Sequence, residues 1–349
     1  MRLKTLLFSA GLLLSAVFVQ AQDIHFSQFY MSPTNLNPAL TGVMNCNGRA
    51  TVNYRSQWQS VLKTNAFNTI SASYDGRTAV GRSDFFGYGI TLWGDEAGES
   101  SFSTKQAKAS FSYSKRMGGY RSRAHYLVAG AELGMAQRSV NFLNLRFGTQ
   151  FDGEGWDGSR ATNEPFNQNN SSFNFADIGA GLLWFTVLDE NTNFFVGASF
   201  NHLNAPNQSF NNDVNVQLDS KFAIHGGGEF MFNRSVGLVP GFVAFFQGPS
   251  TQINAGTSVK FIVGKQTFAY QAFLVGIWAR VSKDFNSGMA ADALIFSSRF
   301  DYNNFTFGFS YDANVSSLRP ASNANGGFEL SMAYKICSGF KRDVYCPRF

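Results

Sequence analysis

The chain has 349 residues, of which only 15% are charged and 16% are aromatic, with 38 Phe and 34 Gly. Its formal net charge of +5 is spread along the sequence, so no concentrated positive field arises and nucleic acid is excluded as a partner. The mean hydropathy is −0.13, and no apolar run of about 18 residues follows residue 21, which excludes a helical membrane protein. A chain this aromatic without long apolar runs must place its apolar side chains in alternation, which indicates strands.

The N-terminus has the three parts of a secretory signal peptide. Arg2 and Lys4 give a basic start, residues 6–19 are almost wholly apolar, and a small-residue cleavage pattern ends at Ala21. We predict cleavage after Ala21, which removes two basic and no acidic residues, so the net charge falls from +5 to +3. A retained N-terminal anchor helix is the alternative, and the apolar stretch is too short for it.

The mature chain opens with residues 22–45, which precede the first predicted strand. This segment carries aromatic side chains that need burial and an Asn-Pro pair. We interpret it as an N-terminal periplasmic plug or docking segment. The alternative is a simple turn initiated by Asn-Pro. The residues expected to plug or dock are Phe26, Phe29, Tyr30, Asn37 and Pro38.

From residue 46 onward, apolar and polar residues alternate. In residues 107–114 every odd position is apolar, and residues 305–312 place four aromatic side chains on one face. A period of two assigns alternate side chains to the two faces of a sheet. The predicted strands lie near 49–57, 66–75, 85–94, 103–115, 125–137, 175–187, 193–203, 221–232, 236–247, 251–263, 267–281, 288–299, 303–312 and 327–337.

These patterns predict an all-β fold, a single antiparallel transmembrane β-barrel of about 14 strands over residues 46–349. A soluble β-sandwich also alternates, but the long connectors 138–174, 204–220 and 313–326 all follow odd-numbered strands, as the outer loops of a barrel do. In lipid every backbone polar group needs a partner within the protein, so the sheet must close. We therefore expect an outer-membrane location, the lipid bilayer as a partner, and a lumen lined by small, sparsely charged residues.

Candidate catalytic residues are few, and no cofactor is predicted. The sequence has four histidines and lacks the zinc-protease, nucleophile-elbow and phosphate-loop patterns. His202, near a predicted strand end, is interpreted as a hydrogen-bonded loop anchor rather than a general base. Charges on the inner face are expected to order water or pair across the lumen, and the chain is predicted not to be an enzyme. These inner charges are Asp177, Arg280, Glu329 and Lys335.

Acidic side chains cluster among glycines in the longest predicted loop. Asp152, Glu154 and Asp157 carry the hard oxygen ligands that calcium prefers. The order of ligands in a calcium-binding loop is absent, so no metal is predicted and these residues are only weak candidates. A connector of this length is uncommon unless it functions, so contact with another protein is the preferred interpretation.

Three cysteines, Cys46, Cys337 and Cys346, remain in a chain exported to an oxidising compartment. Cys46 precedes the first predicted strand, and Cys337 ends the last. Closure of the barrel makes these two strands neighbours and brings both ends to the periplasmic rim. We predict a disulfide from Cys46 to either Cys337 or Cys346, which leaves one thiol over.

The opening of the mature chain, residues 22–42, reads QDIHFSQFYMSPTNLNPALTG. It closely resembles the opening of the PorP/SprF family, membrane proteins associated with the type IX secretion system and gliding motility of Bacteroidetes. One departure is Phe328, where the family often has His before Glu, so no role for a His-Glu pair is transferred. The resemblance continues, in order, through residues 145–152, 200–210, 225–227, 276–280, 308–312 and 327–331.

The resemblance implies a non-enzymatic barrel that supports export or surface attachment of secreted proteins through protein–protein contacts. Its implied partners are a type IX secreted, adhesin-like surface protein and periplasmic or outer-membrane components of the machinery. A porin or a hydrophobic-substrate transport channel is the alternative. A porin needs an open, charged constriction, whereas the inward residues of this chain are expected to be small and sparsely charged.

Overall fold

The computed structural model describes residues 23–119, 123–163, 171–189, 192–210, 216–264, 270–284 and 288–337. The predicted signal peptide, residues 1–21, and Cys346 lie outside these residues.

Within these ranges, fourteen antiparallel strands form one closed barrel, in which strands adjacent in sequence pair and β1 pairs with β14. The prediction of an all-β transmembrane barrel is therefore confirmed. The strands are β1 (Gly48–Gln57), β2 (Phe67–Val80), β3 (Asp84–Ala97), β4 (Phe102–Gly118), β5 (Ala124–Ser139), β6 (Ser172–Asp189), β7 (Thr192–Asn201), β8 (Lys221–Met231), β9 (Val236–Gln247), β10 (Ser250–Ile262), β11 (Gln271–Asp284), β12 (Gly288–Tyr302), β13 (Phe305–Asn314) and β14 (Asn325–Ile336).

The barrel closes through a full ladder between its first and last strands. Gly48 lies opposite Ile336 and Gln57 lies opposite Gly327, so every residue of β1 has a partner in β14. β1 also pairs over its whole length with β2. The seam therefore leaves no open backbone edge along β1, as a lipid environment requires.

Several strands extend beyond their predicted bounds. β2 continues to Val80 rather than ending near residue 75, and β6 begins at Ser172 rather than near residue 175. The added ends are paired, because Val80 lies opposite Asp84 and Ser172 lies opposite Ser139. Strand length in a barrel depends on the partners that the neighbouring strand offers, which alternation within one strand does not reveal.

The barrel wall has an apolar outer face and a largely polar inner face. On β13 the outward Phe307 is exposed, whereas the neighbouring Thr306 is buried. On β11 the outward Ile277 is 56% exposed and the neighbouring Trp278 is 3% exposed. The exposed apolar band is the surface that a transmembrane barrel presents to acyl chains.

The two ends of the barrel differ in their connectors. Odd-numbered strands end at one side, here called the loop rim, and even-numbered strands end at the other, here called the turn rim. The three longest connectors, 140–171, 202–220 and 315–324, all leave the loop rim. The predicted parity of the long connectors is therefore confirmed.

The helices in the described part of the chain are short turns. No helix in these ranges is long and apolar enough to cross a membrane. They are Phe29–Met31, Pro33–Leu36, Pro38–Leu40, Gln59–Leu62, Lys63–Asn65, Phe142–Asn144, Gly148–Gln150 and Arg319–Ser322.

Candidate functional site in the barrel lumen

The lumen is lined by charged side chains arranged in ion pairs. Arg55 Nη1 lies 2.8 Å from Glu329 Oε1, and Lys108 Nζ lies 3.0 Å from Glu132 Oε1. The expectation of a sparsely charged lumen is therefore wrong, because charges that are scattered along the sequence face one enclosed space once the barrel closes. Further buried pairs are Arg49–Asp75, Lys260–Glu229, Arg280–Asp312 and Arg299–Asp301.

Residues 23–44, here called the lumen segment, run through this space. Asp23 contacts His202, which directly follows β7 at the loop rim. The segment ends just before Cys46 and β1 at the turn rim, so it spans the interior from one rim to the other. Of the residues predicted to plug or dock, Phe26, Phe29, Asn37 and Pro38 are buried and Tyr30 is half-buried.

Near the loop rim, wall carboxylates bind the backbone of the lumen segment. Glu329 accepts hydrogen bonds from the backbone N–H of Ser27 at 2.5 Å and of Gln28 at 2.9 Å. The Ser27 hydroxyl donates to Asp312 Oδ2 at 2.7 Å. Arg55 joins the two carboxylates, at 2.8 Å from Glu329 and 3.2 Å from Asp312. Hydrogen bonds to ionised groups are stronger than neutral ones, so this group of residues, the Glu329 cluster, fixes the segment.

A second polar contact fixes the start of the lumen segment. His202 Nδ1 lies 2.8 Å from Asp177 Oδ1, and its Nε2 lies 3.0 Å from Asp23 Oδ2. Burial alone would lower the pKa of the His202 imidazole, but the Asp23 and Asp177 carboxylates outweigh burial and raise this pKa to about 9. The imidazole is therefore charged at neutral pH, with both ring nitrogens held by carboxylates, which is an anchoring arrangement.

In mid-barrel, the Asn37 side chain crosses from the lumen segment to the wall. Its Nδ2 donates to the carbonyl oxygens of Leu182 at 3.0 Å and Ala198 at 3.1 Å, and lies 3.0 Å from His225 Nε2. Its Oδ1 accepts from the Ala39 N–H at 2.8 Å. One side chain thus binds β6, β7 and β8 and also closes a turn of its own segment.

Three glycines of the wall lie where the segment approaches most closely. A Cβ added to Gly130 would overlap the backbone of Ala39, and one added to Gly181 would overlap the Asn37 side chain. A Cβ added to Gly87 would overlap a backbone carbonyl of the segment. These residues, the glycine track, lie on β3, β5 and β6. The segment packs directly on the wall backbone there, through its own backbone at Gly87 and Gly130 and through the Asn37 side chain at Gly181.

At the turn rim, a disulfide and an ion pair fix the end of the segment. Cys46 and Cys337 are joined by a disulfide bond. The Gly42 N–H donates to Asp75 Oδ2 at 2.8 Å, and Arg49 Nη2 lies 2.8 Å from the same oxygen. The chain that precedes β1 is therefore bonded covalently to the residue that follows β14.

The four charges predicted on the inner face lie there. Asp177 and Glu329 belong to the contacts described above, and Arg280 Nη1 lies 2.6 Å from Asp312 Oδ2. Lys335 lines the mouth of the lumen at the turn rim. Of these four, Glu329 accepts backbone N–H groups of the lumen segment and Arg280 Nη1 donates to the Ser27 hydroxyl oxygen at 3.1 Å, so these two bind the segment directly.

The weak metal candidates lie in the longest connector, at the loop rim. Asp152 Oδ1 accepts hydrogen bonds from the backbone N–H groups of Glu154 at 2.9 Å and Gly155 at 2.7 Å. These bonds lower the pKa of Asp152. Asp157 accepts from Ser159 in the same way, so both carboxylates stabilise local turns. The described residues contain no group of three or more His, Cys, Asp or Glu side chains placed to hold a metal.

Reasoning from the sequence missed His225, Arg55 and the glycine track. His225 and Arg55 gave no local signal, because each contacts residues far away along the chain. The glycines did carry one. Gly130 and Gly181 interrupt otherwise regular strands, and a strand glycine often marks the close approach of another backbone.

The chain is similar to several solved membrane barrels at low sequence identity. One is the TodX monoaromatic hydrocarbon channel deltaS2 mutant, with 9% identity over 86% of this chain and 93% of that chain, and a TM-score of 0.48. Another is CdiB from Escherichia coli, with 7% identity over 82% of this chain and 63% of that chain, and a TM-score of 0.45. No protein with a curated description matches the chain.

A family model gives a match over almost the full length. The model described as "Type IX secretion system membrane protein PorP/SprF" matches residues 18–334, which include the lumen segment and all but the last residues of β14. The resemblance found in the sequence is therefore confirmed, and the chain belongs to the PorP/SprF family of type IX secretion system membrane proteins.

Proposed function

We propose that this chain is a non-enzymatic outer-membrane scaffold of type IX secretion that supports export or surface attachment of secreted proteins through protein–protein contacts. The observation that carries the proposal is the lumen segment, because residues 23–44 occupy the space that a diffusing solute would need. A barrel with a filled interior acts through its rims and loops. The segment is thus a built-in plug, left in place after the signal peptide is removed behind Ala21.

The longest connector offers a contact surface for a secreted partner. Within residues 140–171, Leu143 is 80% exposed, and Phe151 and Trp156 are also exposed. Exposed apolar side chains on a loop at the rim can supply the contacts of an interaction site. We assign the secreted, adhesin-like protein to this loop and the periplasmic components of the machinery to the turn rim.

Affinity purification of the tagged protein from detergent-solubilised outer membranes tests these contacts. A secreted protein with a type IX C-terminal signal domain is expected to copurify with the parent chain. Copurification should be lost when residues 142–163 are replaced by a short Gly-Ser linker, because the exposed apolar side chains are removed. The same replacement of residues 316–323, in another loop-rim connector, is the control and should retain the partner. A parent chain that carries no such protein contradicts the proposal.

Planar bilayer recordings distinguish the scaffold from a porin or a hydrophobic-substrate channel. The parent protein is expected to show no steady conductance, because the lumen segment fills the barrel. A variant that lacks residues 23–44 should conduct ions through the vacated lumen. Robust conductance of the parent without partners would instead support the transport function.

A further inference from the structure

The barrel wall has a gap between β8 and β9. The ladder between these strands holds at Gly227 and again at Phe230, but Gly228 and Glu229 have no paired residue in β9. The opposite strand carries Pro240 at this level, which has no N–H to donate. Both strands remain paired with their other neighbours, β7 and β10, along this stretch. The interruption is therefore local, and it leaves two residues of the wall without the backbone pairing that their neighbours have.

A cavity lies directly behind the gap, between the wall and the lumen segment. The empty space there, which includes volume open to the outside, is about 580 Å³. Gly228 and Pro240, which face each other across the interrupted ladder, are among the residues that line it. The side chains that give it an apolar lining are Phe29, Tyr30, Phe195, Val239, Leu274 and Trp278.

The charged groups at the edge of the cavity are already paired. Lys260 Nζ lies 2.6 Å from Glu229 Oε1, and Arg299 Nε lies 2.9 Å from Asp301 Oδ1. The indole N–H of Trp278 donates to a serine hydroxyl at 3.1 Å. A ligand in the cavity would therefore contact aromatic rings and aliphatic side chains rather than an unpaired charge. Such a lining favours an uncharged, apolar ligand.

The gap opens on the lipid-facing side of the barrel. Phe230 on β8 and Phe242 on β9 flank it and are exposed on the outer face. Aromatic and aliphatic side chains on this face lie against the acyl-chain layer of the bilayer. The apolar groups present outside the gap are therefore acyl chains, at high local concentration.

We propose that the cavity behind the β8–β9 gap binds an acyl chain of a membrane lipid, which enters sideways through the wall. The chain packs between Trp278 on the wall side and Phe29 and Tyr30 on the lumen segment. This site is independent of the export function, because it needs only the barrel, its gap and the seated segment.

Fluorescence of Trp278 tests the site. A variant that keeps Trp278 as its only tryptophan is reconstituted into phosphatidylcholine vesicles with one acyl chain dibrominated, because bromine quenches tryptophan at short range. We expect quenching relative to unbrominated vesicles, although Trp278 is only 3% exposed. Val239→Phe, which fills the cavity, should abolish that quenching. Leu238→Phe adds the same ring to the lipid-facing side of β9 and should leave it unchanged.

A variant with Trp184 as its only tryptophan, on the outer face, establishes that brominated lipid reaches the inserted barrel. Strong quenching of Trp184 without quenching of Trp278 overturns the proposal, and so does equal quenching in the two β9 variants. Quenching of Trp278 by bromodecane but not by brominated lipid would assign the cavity to a free apolar solute and also overturn it. If Val239→Phe fails to insert, Ser258→Phe fills the cavity from β10 and takes its place.

Discussion

At the scale of single residues, the lumen depends on carboxylates that bind the wall and the lumen segment at once. Glu329 receives the N–H groups of Ser27 and Gln28 and the guanidinium of Arg55. A complete buried ion pair adds little net stability, whereas removing one partner leaves an uncompensated charge. We infer that the Glu329 cluster serves mainly to select one position of the segment.

Replacing Glu329 with Gln is expected to lower the free energy of unfolding by about 3 kcal/mol. Arg55 would lose the nearer of its two buried carboxylate partners and keep only Asp312, and the amide would accept fewer of the converging hydrogen bonds. Equilibrium unfolding in detergent measures the change, and protease sensitivity of residues 23–44 should rise with it. Glu154→Gln, in an exposed loop, is the control and should change neither quantity. A Glu329 variant as stable as the parent contradicts this role.

The contact of His202 with Asp23 and Asp177 predicts a pH dependence. An unfolded histidine titrates near pH 6.5, whereas the pKa of His202 in the barrel is about 9. The added stability is therefore complete below about pH 6.5 and is lost as the pH rises through about 9, where the imidazole loses its proton. The thermal midpoint should fall across this range in the parent. A His202→Gln variant should show a smaller fall, and equal falls in both proteins would rule out this residue as the cause.

At the scale of elements, the lumen segment and the wall fit by shape. Pro33 and Pro38 each begin a short helical turn, where the missing N–H and fixed φ of proline are tolerated. The wall opposite is free of side chains at the glycine track. The short turns keep the segment compact, and the glycines leave no side chains between it and the wall. The segment can therefore contact the wall backbone inside a narrow barrel.

Replacing Gly130 with Ala should displace the segment, because the added Cβ overlaps the backbone of Ala39, which has no flexible end to move aside. Overpacking of this kind costs about 1–3 kcal/mol. We expect a lower thermal midpoint together with measurable ion conductance. Gly94→Ala is the matched control, because the nearest atom to its added Cβ is 3.7 Å away. An unchanged midpoint and a closed barrel in the Gly130 variant would contradict the close fit.

At the scale of the whole molecule, the outer face is stable only against acyl chains. Its exposed phenylalanine, leucine and isoleucine side chains would form a large apolar surface in water. In the bilayer the same side chains contact acyl chains, which are equally apolar. The inner face is charged instead of apolar, and its charges are paired with one another and with the lumen segment. The two faces of the same strands are therefore adapted to two different solvents.

Replacing Ile277 with Lys is expected to reduce the stability of the inserted barrel by about 2–4 kcal/mol, the usual effect of a cation near the bilayer midplane. Ile277 is suited to this test because it lies on the outer face of β11 and is 56% exposed. Leu143→Lys, in the water-facing loop, is the control and should fold and insert as the parent does. Urea unfolding from lipid vesicles gives both values, and equal stability of the two variants would contradict a lipid-facing Ile277.

Alternation predicted the strands because a period of two is a local property of the sequence, as in residues 305–312. Closure of the sheet into a barrel could also be predicted, because a free strand edge in lipid would leave backbone N–H and C=O groups without partners. The ion pairs inside the lumen could not be predicted from the sequence. Arg55 and Glu329 are 274 residues apart, and only the pairing of β1 with β14 brings them together. The aromatic residues of the N-terminus suggested burial, but nothing local indicated which wall residues would receive them.

Arg55 and Glu329 are also direct register partners across the β1–β14 seam. The two ends of the sheet therefore join at a carboxylate that also accepts the N–H groups of Ser27 and Gln28. Because one side chain contacts both the seam and the lumen segment, parting the strands there would also free the segment. Closure of the wall and occupation of the interior are thus coupled through a single residue.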